Sequence, residues 1–527
     1  MRALYIALCF TFVFSATVSA QETLWMATFK DRPDTVWDAS QDYHVEALKR
    51  RGGRLNPSDY PVCERYIRVL RASGADVRYA LRWFNAVSFY ADHTTVEQLE
   101  SLSFITEIVP LQGALKAAPA ESYGVLQPNG DIDEPSPLLQ FRMHEGELLS
   151  QRGLCGEGMR IAIFDVGFSG WKSVADLKHL KEEGRVEATF DFVRNNESVA
   201  EHSSHGTSVL SCIAGKSAHD QLGFAPEAQF FLAITEKPGT DITSEEDCWL
   251  AALEWADRMG VHIINSSLGY TYHRYFRNDL DGKTTFISQA TLIAASKGIL
   301  VVSAAGNEGN KDWRFISTPA DADSILSVGG ISKDLGLRAD FSSVGPTRDY
   351  RVKPEVVSLG QAETAVRSGR RESWGTSFAA PLIAGLAACV WQAYPEETNM
   401  QIRERIIRGG HLYPFYNYSE GYGVPLVSKI FEDPTPPDTT FTVHDTDNGW
   451  SIELVHHSDS LIEQNDFNRY VYIHLADKQG RLLHYTTIEP QGKKGGEVPY
   501  DLIEEIEQAG GVIRIYYRGY LYEEVVD

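Results

Sequence analysis

Between residues 138 and 431 the chain alternates short apolar runs with longer helical stretches. The runs at 160–164, 229–234, 262–265, 299–304 and 325–328 are dense in Ile, Val, Leu, Phe and Ala and show little polar alternation, as strands covered on both faces do. Helical patterns fill 244–259, 286–297 and 377–394. Strands alternating with helices predict an α/β fold, a doubly wound and mostly parallel sheet, with ligands held beyond the carboxyl ends of its strands. Residues 21–112 read differently, as an α+β unit: strands at 24–29, 75–81, 85–90 and 105–109, a helix after the first, and another from 94. There Thr94 or Thr95 and Glu97 stand at capping distance. Residues 113–137, rich in Ala, Pro, Gly and Asp, read as an exposed linker, and 432–440 as a stiffer, Pro-rich one. Beyond it, alternating runs at 450–455, 470–475, 482–488 and 512–517 predict a β-sandwich-like accessory module over 441–527.

The first twenty residues are mostly apolar after Arg2 and end in Val18-Ser19-Ala20, the pattern of a secretory signal peptide with a mature start near Gln21. The expected location is therefore secreted or cell-envelope. The apolar run is too short for a membrane anchor. The stretch 378–391 is followed at once by Gln392, Pro395 and Glu396, so it reads as a buried core helix and no transmembrane anchor is expected. At 527 residues several domains are needed. A net charge of −23 argues against a nucleic-acid partner. Outside the signal stand Cys63, Cys155, Cys212, Cys248 and Cys389, none at C-x-x-C spacing; buried thiols and one disulfide both remain open.

Three segments carry chemistry. Ile161-Ala162-Ile163-Phe164-Asp165-Val166-Gly167 ends a strand on an acid; His205-Gly206-Thr207 opens a helix; Gly375-Thr376-Ser377-Phe378-Ala379-Ala380-Pro381 opens another on a serine. Cleaving an amide near neutral pH needs a nucleophile, a base to deprotonate it and an acid to orient the base. Ser377, His205 and Asp165 supply one of each. A helix start also presents N–H groups to a developing negative charge, and Pro381 is expected to be tolerated only near the first turn. Taken singly, each residue has a plainer reading: a capping serine, a capping aspartate, a His202-x-x-His205 metal pair without a third ligand. Asn307, in Ala304-Ala305-Gly306-Asn307-Glu308-Gly309, is alone no more than a turn residue.

Together, in the order Asp, His, Ser, these motifs resemble the subtilisin-like serine peptidase family, whose G-T-S-x-A-x-P pattern is matched at every specified position over a region of roughly residues 138–431. The resemblance implies an Asp165–His205–Ser377 triad acting through an acyl-enzyme and an oxyanion hole completed by Asn307. It also implies pairing of extended substrate with Ser267-Leu268-Gly269 and a specificity-pocket wall at Ala304-Ala305-Gly306. Glu254-Trp255-Ala256 also falls where the family places it. Val166 departs from the family, which commonly has a small residue after the acid, and Glu308 is expected to be a solvated surface acid, the alternative being a pocket-rim residue that favours a basic substrate side chain. By the same resemblance residues 21–112 are a propeptide, a folding aid and transient inhibitor removed by self-cleavage. The expected function is an exported serine endopeptidase acting on polypeptides. No metal or cofactor is expected in catalysis, and structural calcium is left open. The alternatives are a catalytically silent secreted binding protein of the same fold and a serine-carboxyl peptidase, against which His205 counts.

Overall fold

A computed structural model describes residues 22–32, 37–111, 139–201, 203–217, 220–237, 245–271, 275–432, 437–455 and 467–526. The expected signal peptide, the linker at 113–137 and His202 of the candidate metal pair lie outside them.

The central sheet has seven strands: β5 (Arg160–Asp165), β6 (Val186–Asp191), β7 (Gln229–Ile234), β8 (Ile263–Ser266), β9 (Leu300–Ala304), β10 (Leu326–Ile331) and β11 (Val356–Leu359). Numbering the remaining strands in chain order, β1–β4 precede and β12–β20 follow. The spatial order is β11-β10-β9-β8-β5-β7-β6, and every pairing is parallel. After β7 the chain crosses to the other side of β5, so the winding reverses around β5 and β8. An open α/β sheet offers its crevice at such a point, and Asp165 ends β5 there. Strands β5, β7, β8, β9 and β10 are buried almost throughout, which explains their mostly apolar runs. The Thr376–Ala393 helix is buried along nearly its whole length. Among the described residues it is the one helix long and apolar enough to cross a membrane, with 89% of its apolar window inside the protein.

The N-terminal unit is a four-stranded antiparallel sheet, β1 (Thr23–Phe29), β2 (Asp76–Leu81), β3 (Ala86–Ala91) and β4 (Ile105–Pro110), in the order β2-β3-β1-β4. Alternation on β1 divides its side chains. Trp25, Ala27 and Phe29 join Tyr66, Ile67 and Leu70 of the Glu64–Ala72 helix. Leu24 and Met26 join Trp249, Leu253 and Ile287 in a core shared with the central domain. The next helix, His93–Glu100, is capped by Asp92, which accepts from the Thr95 N–H, and not by the expected Thr–Glu pair.

The C-terminal module consists of two antiparallel sheets around one core. One holds β14 (Phe441–Thr446), β15 (Gly449–Leu454) and β18 (Lys494–Pro499); the other holds β16 (Val471–Ala476), β17 (Leu482–Ile488), β19 (Val512–Tyr517) and β20 (Tyr520–Val525). Its helix, Tyr500–Gln508, was not foreseen. Strand β16 is buried on both faces: Val471, Ile473 and Leu475 face the module core, while Tyr472 packs with Phe415 and Leu412 of the central domain.

Candidate active site

Asp165 is fully buried at the end of β5. Its Oδ1 accepts from the Val166 N–H at 2.8 Å, so the residue that departs from the family pattern adds a donor to the acid. His205 begins the His205–Ala214 helix and points Nδ1 at both Asp165 oxygens, 2.9 and 3.0 Å away. The helix comes this close because residue 206 is glycine: a Cβ there would lie 2.7 Å from the Gly167 carbonyl oxygen and 2.8 Å from the Phe168 ring. Burial works against the imidazolium, but the Asp165 charge and hydrogen bond outweigh it, and the His205 pKa rises above its ordinary 6.5. Bonding at Nδ1 leaves Nε2 as the proton acceptor of the neutral ring.

Ser377 lies in the first turn of the Thr376–Ala393 helix, after Gly375, whose φ of +146° is a backbone state L side chains rarely adopt. Its Oγ donates to the Ser267 carbonyl at 3.2 Å, and the Ser267 hydroxyl donates to the Ser377 carbonyl at 2.9 Å. This second bond accounts for Pro381, which sits inside the helix and not merely in its first turn. Proline has no N–H to give the carbonyl four residues back, and that carbonyl is Ser377's. Ser267 supplies the missing donor from the end of β8.

Asn307 follows β9. Its Oδ1 accepts from the Thr376 N–H at 2.9 Å and the Thr376 hydroxyl at 3.0 Å. Because a backbone N–H can only donate, the amide orientation is fixed and Nδ2 turns the other way, toward Gly375. Thr376 Oγ1 also accepts from the Gly306 N–H at 3.3 Å, so one threonine ties Asn307 and the Ala304-Ala305-Gly306 segment to the helix that carries Ser377. Gly269 is exposed, on the open side of the Ser267-Leu268-Gly269 segment. Glu308 is half-buried and pairs with Lys311 at 3.3 Å, so it is less solvated than expected. The five described cysteines are free thiols, and no group of three or more His, Cys, Asp or Glu among the described residues is arranged to hold a metal.

Sequence reasoning brought Asp165, His205, Ser377, Asn307 and the two flanking segments to one crevice. It gave no reason for Thr376, for the Ser267 side chain, or for Glu254. The last is buried on the Glu246–Arg258 helix and accepts both the Arg82 and Trp83 N–H groups of the N-terminal unit, each at 2.9 Å. Burial pushes its pKa up to about 7 against the pull of those two donors. Around it, Arg78 meets Asp247 at 2.8 Å, Arg50 meets Asp257 at 3.1 Å, and Lys297 meets Asp59 at 2.5 Å. A glutamate set among Leu253, Trp255 and Ala256 in that helix was the available signal.

An acid–imidazole pair, a serine at a helix start and an oriented amide are the groups that acyl transfer at a serine hydroxyl uses. The profile of the Subtilase family matches residues 156–423, just over half of the chain, and that of the Bacteroidota peptidase S8 propeptide domain matches residues 25–122. The chain belongs to the subtilase family of serine peptidases and carries that family's propeptide domain. It is 32% identical over 259 residues to a thermostable alkaline protease of Halalkalibacterium halodurans, covering 48% of this chain and 63% of the relative. It is 31% identical over 329 residues to alkaline elastase YaB of Bacillus sp. strain YaB, covering 61% and 78%. Against subtilisin E of Bacillus subtilis the identity is 28% over 345 residues, covering 64% and 78%. A solved structure, the S41 psychrophilic protease, is 25% identical with a TM-score of 0.43, covering 52% of this chain and 92% of that one.

Proposed function

We propose that the protein is an exported serine endopeptidase that hydrolyses polypeptides through Ser377, His205 and Asp165. The observation that carries this reading is the His205 Nδ1 contact to both Asp165 oxygens, with the His205 ring 5.3 Å from that of Phe378, the residue after Ser377 at the helix start. Neutral His205 takes the Ser377 hydroxyl proton at Nε2 as Oγ attacks the substrate carbonyl. The oxyanion forms against the Ser377 N–H and Asn307 Nδ2. Imidazolium, held by Asp165, then gives its proton to the leaving amine, and water repeats the sequence on the acyl-enzyme. Catalysis in this reading uses side chains and backbone alone. Extended substrate on the acyl side lies along Ser267-Leu268-Gly269 and Ala304-Ala305-Gly306, where main-chain bonding tolerates many sequences. The N-terminal unit is a transient inhibitor held by Glu254 and the charge pairs around it. Export rests on the sequence of residues 1–20. A fluorophosphonate probe tests the core of the proposal: it should label wild type at Ser377 and leave Ser377→Ala unlabelled. A wild type that stays unlabelled and cleaves no casein after maturation would be a silent binding protein.

A further inference from the structure

Strand β13 (Gly369–Trp374), paired with β12 (Gln361–Val366), leads directly into Gly375 and Ser377 and carries two consecutive arginines. Neighbouring side chains on a strand leave by opposite faces. Arg370 is committed within the protein: its guanidinium meets Asp176 at 2.8 Å, Asp220 at 3.1 Å and Glu363 at 3.4 Å. Arg371 has no such partners. Among the described residues its side chain makes no ion pair, and its Nε is buried without a hydrogen-bond partner, while the residue as a whole is half-exposed.

The register gives the face of the hairpin it leaves by. Arg371 stands opposite Thr364, whose hydroxyl shares a 2.8 Å hydrogen bond with Ser373. The next residue, Ala365, donates its N–H to the Ser211 hydroxyl on the His205 helix at 2.9 Å. The hairpin thus lies along the helix that carries the base, and the Arg371 guanidinium is near enough to His205 to disfavour the imidazolium. A second cation, Arg367, is exposed at the hairpin turn. Its Nε lies 3.4 Å from where a Cβ on Gly170 would stand, in the loop after Asp165. On a chain of net charge −23, two guanidinium groups without carboxylate partners among the described residues border one side of the crevice.

That side is the leaving-group side. The acyl half of a substrate would occupy the ends of β8 and β9, whereas His205 must reach the departing amine, so the chain beyond the scissile bond runs past His205 and along the hairpin. We propose that Arg371, seconded by Arg367, selects peptides with an aspartate or glutamate among the first two residues after the scissile bond. A guanidinium left with open donors is matched in shape and charge by a carboxylate. This specificity rests on the peptidase reading above.

The test uses the full chain after maturation and paired quenched peptides carrying Glu or Gln at those two positions. In wild type at low salt the kcat/KM ratio of Glu to Gln should be about five, the upper range for a partly exposed charge pair. It should fall to about one in Arg371→Ala and in the size-conserving Arg371→Gln, reverse in Arg371→Glu, and shrink toward one in wild type at ~1 M salt. Fluorophosphonate labelling of the same preparations reports Ser377 independently. Labelled, active wild type with a ratio near one, or a ratio unchanged in both neutral variants, overturns the inference while leaving the peptidase reading intact. Absence of both labelling and cleavage in wild type overturns both.

Discussion

At the scale of single residues the site is a set of directions imposed on a few hydrogen bonds. Asp165 fixes which nitrogen of His205 carries the proton, and Thr376 fixes which end of the Asn307 amide faces the crevice. Ser377→Ala should therefore fold and yet lose nearly all turnover, His205→Ala should do the same, and the double variant should lose little more, because the groups act as one unit; casein cleavage measures all three. Asn307→Ala should lower kcat by about 10²–10³, the magnitude known for one oxyanion donor in a subtilisin and taken over from there. The pH profile follows from the sign of the His205 shift. Its pKa lies above 6.5, and only the neutral ring accepts the serine proton, so kcat/KM should rise with pH through an apparent pKa above 6.5 and be lost as pH falls below it. Arg371→Ala removes a charge that opposes the imidazolium, so the same limb should move upward. A profile with its maximum near about pH 4, where carboxylates titrate, would instead assign the chemistry to an acid.

At the scale of elements, the helix that delivers Ser377 and the strand end that delivers Ser267 repair one another. Ser267→Ala should leave the Ser377 carbonyl without a donor and cost about 1–3 kcal/mol of stability. Pro381→Ala restores the N–H that this carbonyl would ordinarily receive. In its background the Ser267→Ala penalty should therefore shrink, and a double-mutant cycle by denaturant unfolding should show coupling of about 0.5 kcal/mol or more; additive penalties would mean that the two residues do not share the carbonyl. The same pair illustrates what could and could not be seen in the sequence. Strands β5, β7, β8, β9 and β10 were legible because burial on both faces writes a mostly apolar run without polar alternation. Edge strand β6, with its half-exposed Val186–Asp191 pattern, was not. Nor was β13, whose polarity comes from Arg370 and Glu372 pairing with Asp176 and Lys333. The proposed triad residues could be picked out because each sits in a short local motif. Thr376, the Ser267 hydroxyl and Glu254 were not, because their roles depend on partners 69, 110 and 172 residues away.

At the scale of the whole molecule, the propeptide domain shares a hydrophobic core with the Glu246–Arg258 and Phe286–Ser296 helices and closes that contact with buried charge. Glu254→Ala would leave two backbone N–H groups unpaired in this interface, and the separated propeptide should then inhibit the mature enzyme about tenfold or more less tightly. The proposed self-cleavage would have to cut this assembly from within. The last propeptide strand, β4, ends at Pro110, and Leu111 is still bonded to Leu24; the next described residue of the central domain is Leu139. The segment between is rich in Ala, Pro and Gly, the composition at which nicking concentrates. A chain leaving β4 in extended form could lie beside Ser267-Leu268-Gly269 and present a bond to Ser377 of its own molecule. Self-cleavage should fall between Gln112 and Pro137, giving a mature N-terminus in that interval. Ser377→Ala should accumulate as a precursor beginning near Gln21. N-terminal sequencing of both proteins, produced without other proteases, decides it: the same mature N-terminus in wild type and Ser377→Ala would mean that another enzyme makes the cut.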